Sequence, residues 1–85
     1  MLKYKNVVRD ALEEVGRQLK KWGVQDHTPV EWVSILSEET GEAAREANDH
    51  DLGGMDTLEK YRMEMVQVAA VALSAIENLD RQRSG

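Results

Sequence analysis

Cysteine is absent from this chain, which rules out disulfide staples and thiolate-held metals. An excess of positive charge is also missing. Eleven Lys and Arg stand against 16 Asp and Glu, giving a formal net charge of −5. A protein that coats nucleic-acid phosphates through a broad basic face is therefore not expected. A nucleotide substrate remains open, because a metal ion can carry the positive charge. No apolar run is long enough to span a bilayer: the most apolar stretch, Met63 to Ile76, is short and contains Glu64 and Gln67. Lys3, Lys5, Arg9 and Asp10 interrupt the N-terminal apolar residues before a signal-peptide core can form, so a cytoplasmic protein with no membrane partner is expected. Internal repeats and low-complexity segments are lacking, and no stretch reads as a strand. Proline occurs once, and the glycines fall mainly at breaks.

What is present is helical periodicity from end to end. The pattern predicts one all-α domain over residues 1–85, with helices at about 4–22, 29–48 and 56–81. In the first, Val8, Ala11, Leu12, Val15, Leu19 and Trp22 recur at helical spacing, and Gly23 is placed to end it. The second opens on Thr28-Pro29-Val30-Glu31, which offers a capping threonine, proline at the first helical position and glutamate three residues after the cap. Its inner stripe is Trp32, Ile35, Leu36, Ala43 and Ala47. Asn48 to Gly54 reads as a loop, and the third helix begins near Asp56, with Glu59 as a second capping-box candidate. Tyr61, Met65, Val68, Ala72, Ile76 and Leu79 form its main stripe, widened by Val66, Ala69, Ala70 and Leu73. Arg81 to Gly85 reads as a frayed tail. A helix apolar on most sides is buried on most sides. A chain of 85 residues has only a marginal core of its own. The expectation is a small three-helix bundle completed by oligomerisation.

Glu38-Glu39-Thr40-Gly41-Glu42, in the middle of the second helix, breaks the local rules of helix building. Glycine in a helix interior costs about 1 kcal/mol relative to alanine, and like charges four apart cost a few tenths more. Such breaks tend to mark function, and the missing partner of the acids is read as a divalent cation. Glu39 falls on the apolar stripe between Leu36 and Ala43, with Glu42 and Glu46 following at one-turn intervals. Glu64 and Gln67 repeat the three-residue spacing on the third helix. If the two helices pack antiparallel, as a short connection favours, the pairs Glu39/Glu42 and Glu64/Gln67 face each other. Mg²⁺ takes hard oxygen ligands of this kind. Glu38 is a further ligand or a water-orienting base. The bland alternative is a solvated acidic face in which Arg45 satisfies a neighbour. It fits Glu38, Glu42 and Glu46 taken alone better than it fits the inward-facing Glu39, because buried carboxylates are rare unless paired or metal-bound. A di-iron bundle is not expected, since the Glu-x-x-His motifs it uses are absent. His27 and His50 sit in predicted loops without a second histidine at ligand spacing and are assigned no chemistry.

The segment Trp32-Val-Ser-Ile-Leu-Ser-Glu38-Glu39-Thr-Gly-Glu42 resembles the first signature of the MazG-like nucleotide pyrophosphohydrolases, in the all-α NTP pyrophosphatase superfamily. Arg17-Gln18-Leu-Lys-Lys21-Trp22-Gly23-Val-Gln25 is similar to the segment that often precedes it. Glu64-Met-Val-Gln67 stands where the second carboxylate pair belongs. The resemblance covers roughly residues 14 to 77. It implies a Mg²⁺-dependent enzyme (with Mn²⁺ as an alternative metal) that cleaves a nucleoside triphosphate to the monophosphate and pyrophosphate. A house-cleaning role and a homodimeric or homotetrameric assembly are implied as well. The departure is Gln67, where the family usually has aspartate; an amide carbonyl coordinates weakly and brings no charge.

On this basis Glu39, Glu42 and Glu64 are assigned to metal, Glu38 to metal or to orienting the attacking water, and Gln67 to a water or the substrate. Arg17 and Lys21 are candidates for the phosphates, with Lys20 and Arg45 behind them; each taken singly also reads as ordinary surface. Trp22 is a candidate to stack on a base, against a role as core anchor of the first helix. Gln25 is a candidate to read a base edge, against a role in capping the loop. Trp32 is expected in the core. Two other readings stay open: a non-catalytic helical dimerisation or regulatory module on the same scaffold, and a pyrophosphohydrolase acting on another nucleotide such as phosphoribosyl-ATP.

Overall fold

Thr28 closes a complete capping box: its Oγ accepts from the Glu31 N–H at 3.2 Å, and the Glu31 carboxylate accepts from the Thr28 N–H at 2.8 Å. That exchange satisfies two of the donors a helix start leaves open and fixes the beginning of α2 (Pro29–Asp51). It also holds the Glu31 carboxyl below its ordinary range, chiefly through the Thr28 N–H. The preceding helix, α1 (Leu2–Trp22), stops as read from the sequence. Gly23 takes a φ of 75° and donates its N–H to the Leu19 carbonyl at 2.8 Å, a left-handed ending that favours glycine. The computed structural model describes residues 2–53 and 57–84, and the third helix is α3 (Thr57–Ser84).

Two boundaries differ from the sequence reading. The second helix runs through Asn48 and His50 to Asp51, so His50 lies in a last helical turn and not in a loop. The chain then turns at Leu52 and Gly53, where a φ of 89° and an N–H bond to the His50 carbonyl at 2.9 Å end the helix. The expected start of α3 at Asp56 and its cap lie outside the described residues. At the other end the helix continues to Ser84 and is not frayed at Arg81, which is tied down by partners described below.

Both α1 and α2 pack along α3, which makes α3 the central helix. Contacts between Trp32 and Asn78 at one end, and around Glu39 and Gln67 further along, run α2 antiparallel to α3. Asp10 meets Arg62 while Asp26 meets Arg81, so α1 runs parallel to α3. One alanine from each helix is buried: Ala11, Ala43 and Ala70. Side chains of that size let the backbones approach closely. Trp32, 7% exposed, and Val71 complete the buried apolar set.

The packed face of α3 differs from the main stripe read in its sequence. Tyr61, Met65, Ile76 and Leu79 are exposed, whereas Ala70, Val71 and Asn78 are buried. On a helix apolar nearly all round, the apolar count alone does not select the face. Here the polar Asn78 selects it. Val8, Leu12, Leu19 and Trp22 of α1 are also exposed in the protomer, so Trp22 is not the core anchor its position suggested.

Asn78, 1% exposed, is the polar centre of the core. Its Oδ1 accepts from the Trp32 indole N–H at 2.7 Å and from the His27 backbone N–H at 2.9 Å, while its Nδ2 donates to Asp26 at 3.1 Å. Arg81, one turn on, donates to Asp26 and, at 3.0 Å, to Glu77. These two carboxylates raise the Arg81 pKa further. The His27 ring packs edge-on against Trp32 with 4.8 Å between ring centres. The connection between α1 and α2 is therefore fastened to the last turns of α3. Replacing Asn78 with alanine strands two buried donors, and each such group costs roughly 1–3 kcal/mol. Asn78→Ala is expected to lower unfolding stability by about 2–4 kcal/mol in urea titrations; a loss under about 1 kcal/mol would show the bonds to be replaced by water.

Candidate metal centre

The antiparallel seam between α2 and α3 brings three carboxylates together. One oxygen each from Glu39, Glu42 and Glu64 lies within 4.8 Å of the others. The spacing explains the arrangement: Glu39 and Glu42 are neighbours on one helix face, and Glu64 meets them from across the seam. Glu39 and Glu64 are half-buried and Glu42 is exposed.

Gln67 joins the cluster from one turn beyond Glu64. The two carboxylates around its amide assign the orientation: the amide nitrogen donates to Glu39 Oε2 at 2.8 Å and to Glu64 Oε2 at 3.2 Å. Gln67 thus bridges two acids without adding charge. The remaining acids stand around this core. Glu38 is exposed and outside the three-oxygen cluster, but its charge is felt at Glu39. Glu46 acts on Glu64 in the same way. Glu14, which the sequence reading passed over, approaches from α1, and its charge also reaches Glu39. Its position one turn after Ala11 and one turn before Gln18 was the available signal.

No lysine or arginine among the described residues forms an ion pair with Glu39, Glu42 or Glu64. Arg45, the expected neutraliser, is exposed and forms no ion pair among those residues. Two of the acids, Glu64 and Glu39, respond with raised pKa values. Partial burial, then the hydrogen bond shared with Glu42 and the charges of Glu42, Glu39 and Glu46, push the Glu64 carboxyl up to about 7. Burial first and the charge of Glu42 second raise the Glu39 carboxyl as well. On a fully solvated acidic face the first of these causes, burial, would be absent. The donors are all oxygens, three carboxylates and an amide carbonyl once Gln67 turns over. That set fits a hard divalent cation such as Mg²⁺ or Mn²⁺ and not a soft one.

The residues expected to meet substrate fall in different places. Arg17 lies beside the cluster, donating to Glu14 at 2.6 Å and 2.9 Å. Lys21 is two turns beyond Glu14, about 10 Å along α1, and its ammonium rests 4.8 Å from the ring centre of Trp22. Trp22 is 62% exposed. Gln25 accepts from Arg81 through its backbone carbonyl, and it lines an apolar groove of about 540 Å³ together with Leu19, Val24, Trp32 and Leu73. A Cβ placed on Gly41 would meet nothing within 4 Å, so no helix of the same protomer requires glycine there.

Comparison with known proteins finds no matching family model, no matching curated protein and no matching solved structure.

The raised Glu64 sets a pH dependence for the metal-free protein. Between about 4.5 and about 7 the unfolded chain has released this proton while the folded chain retains it. The stability contributed by protonated Glu64 is complete below that window and lost above it, because stability falls wherever the folded state binds more protons. Thermal unfolding of wild type and Glu64→Gln in chelator should diverge across the window, with the variant the more stable at pH 8. Parallel curves would remove the crowding of acids as a physical fact.

Proposed function

We propose that this chain is a divalent-metal-dependent nucleoside triphosphate pyrophosphohydrolase, which converts a (d)NTP and water to the (d)NMP and pyrophosphate. The observation that carries the reading is the convergence of Glu39, Glu42 and Glu64, with no cationic side chain among the described residues paired to them. It is the juxtaposition that the MazG-like resemblance of the two helical segments leads one to expect. A house-cleaning role, disposing of modified or surplus nucleotides, goes with that resemblance.

Hydrolysis of a phosphoanhydride needs charge neutralisation around the phosphates and a positioned water. Bound Mg²⁺ would supply the neutralisation and polarise phosphoryl oxygens. Glu39, Glu42 and Glu64 would hold it, each as a carboxylate. Glu38, which is exposed, is assigned to orient the water and accept its proton as the water oxygen bonds to the α-phosphorus. The bond to the oxygen bridging the α- and β-phosphorus atoms breaks, and pyrophosphate leaves with that electron pair. Arg17, which shares a groove with Gln67, is the expected phosphate cation assigned to meet the triphosphate. The hydrogen bond to Glu14, and then the charge of Glu14, raise its pKa further, so it stays a cation throughout.

One observation favours a different reading. The Gln67 amide already donates to both Glu39 and Glu64, which eases the acids without any ion, as a non-catalytic scaffold requires. A panel of NTPs and dNTPs with Mg²⁺, scored for pyrophosphate, separates the two. Release by wild type and a loss of at least about a hundredfold in Glu39→Gln, in the range typical for losing one electrostatic contributor, are expected with helical content unchanged. No release from any nucleotide at high enzyme concentration would favour the scaffold, and an active Glu39→Gln would remove the ligand assignment.

Assembly belongs to the same proposal. Leu12 and Val8 of α1 and Ile76 and Leu79 of α3 are between 43% and 58% exposed, more apolar surface than a small monomer comfortably shows to water. A second copy covering it gives the homodimer or homotetramer implied by the resemblance. Light scattering at micromolar concentration should return a dimer or larger; a stable monomer there would overturn this part.

A further inference from the structure

Beside the acid cluster, a second groove of about 400 Å³ runs between α1 and α3. Arg17 and Glu14 lie on its α1 side, and Arg62 and Gln67 on its α3 side. Gln67 is a wall shared with the cluster, since its amide is 2.8 Å from Glu39. Whatever is held at the carboxylates therefore has this groove as its immediate neighbour. The two guanidinium groups come from different helices. Arg62 donates to Asp10 at 2.7 Å and Arg17 to Glu14 at 2.6 Å, so each lining acid is already neutralised. The Arg62 guanidinium holds the Asp10 carboxyl below its usual range, and Arg17 does the same for Glu14.

Resting on the pyrophosphohydrolase reading, we propose that this groove seats the two terminal phosphates of the triphosphate, and that Arg62 binds them. Guanidinium forks match phosphate oxygens bidentately. Arg62 is half-exposed, and exposed ion pairs contribute little net stability. Exchanging Asp10 for a more highly charged phosphate chain is therefore accessible to it. The larger groove offers no equivalent: its walls are mainly apolar, and its cation, Arg81, is committed to Asp26 and Glu77. A charged terminus is directed to the α1–α3 groove and away from the apolar one.

Calorimetric titration of inorganic pyrophosphate into the full-length protein with saturating Mg²⁺ tests this. Arg62→Ala should weaken binding roughly tenfold or more, the size expected for removing charge-assisted hydrogen bonds. Asp10→Asn breaks the same bridge but leaves the cation, and should bind pyrophosphate as tightly as wild type or tighter. Nucleoside monophosphate binding should change in neither. A purely structural bridge predicts that both variants weaken alike, and that outcome overturns the proposal. So does wild-type affinity in Arg62→Ala, or no pyrophosphate binding by wild type. Should Arg62→Ala not fold, Arg62→Lys keeps a charge for Asp10 but loses the fork. It must then bind pyrophosphate more weakly than wild type, or the proposal falls. The pyrophosphohydrolase reading fails separately, through absence of pyrophosphate release from every nucleotide. Arg62-dependent binding can stand even then.

Discussion

The indole of Trp32 donating to Asn78 sets the relation between α2 and α3, and the site follows from that relation. Both groups are buried and polar, and a buried donor without an acceptor is costly. Sliding or rotating α2 along α3 would break this bond and leave the His27 N–H without its acceptor as well. The same asparagine holds Asp26, and Asp26 holds Arg81, so the α1–α2 connection is fixed to the same point. With α2 pinned at its N-terminal end in an antiparallel arrangement, its later turns run back along the earlier turns of α3. Glu39 and Glu42 then meet Glu64 and Gln67.

That meeting is unfavourable in the absence of a cation. Three acids share a partly buried spot, Glu38, Glu46 and Glu14 add their fields, and no basic side chain among the described residues forms an ion pair with the three. Basic residues are not scarce nearby: Arg17, Arg62 and Arg9 are present on α1 and α3, but each is spent on Glu14, Asp10 or Glu13. The arrangement sets unpaired carboxylates at the seam beside a groove in which two guanidinium groups are held by Glu14 and Asp10. On the proposed reading, the metal answers the carboxylates and the phosphate chain takes the guanidinium groups from their acids. This complementarity, more than the number of acids, distinguishes the seam from an ordinary glutamate-rich helix surface.

Much of this was legible in the chain. The capping box at Thr28, the glycine stop at Gly23 and the inward line Trp32–Ile35–Leu36–Glu39–Ala43 are local patterns, and the structure follows them. The pairing of Glu39 and Glu42 with Glu64 needed only helix spacing and an antiparallel hairpin. The central asparagine was not legible. Its partners lie 46 to 52 residues away, and an asparagine inside an apolar helix gives no signal that its amide is satisfied in the core. For the same reason Arg81 read as part of a frayed tail. The packed face of α3 was ambiguous because periodicity identifies a stripe only when the opposite face is polar. Arg62 and Glu14 escaped notice because each is one charge among many until α1 is laid parallel to α3.

Part of the exposed apolar surface, at the far end of α3, stands apart from the acid cluster, and this bears on how assembly and chemistry relate. Glu39, Glu42, Glu64 and Gln67 come from α2 and α3 of one chain, while the exposed Ile76 and Leu79 lie more than two turns further along α3 than Gln67. On the proposed reading a second copy is not needed to supply a ligand. It acts on the site through α3, whose early turns carry Glu64 and Gln67 and whose later turns carry both Asn78 and the exposed Ile76 and Leu79. Covering Ile76 and Leu79 would hold the segment of α3 that anchors α2 through Trp32. Association then stabilises the register of the two helices, and with it the spacing of the carboxylates, without contributing an atom to them.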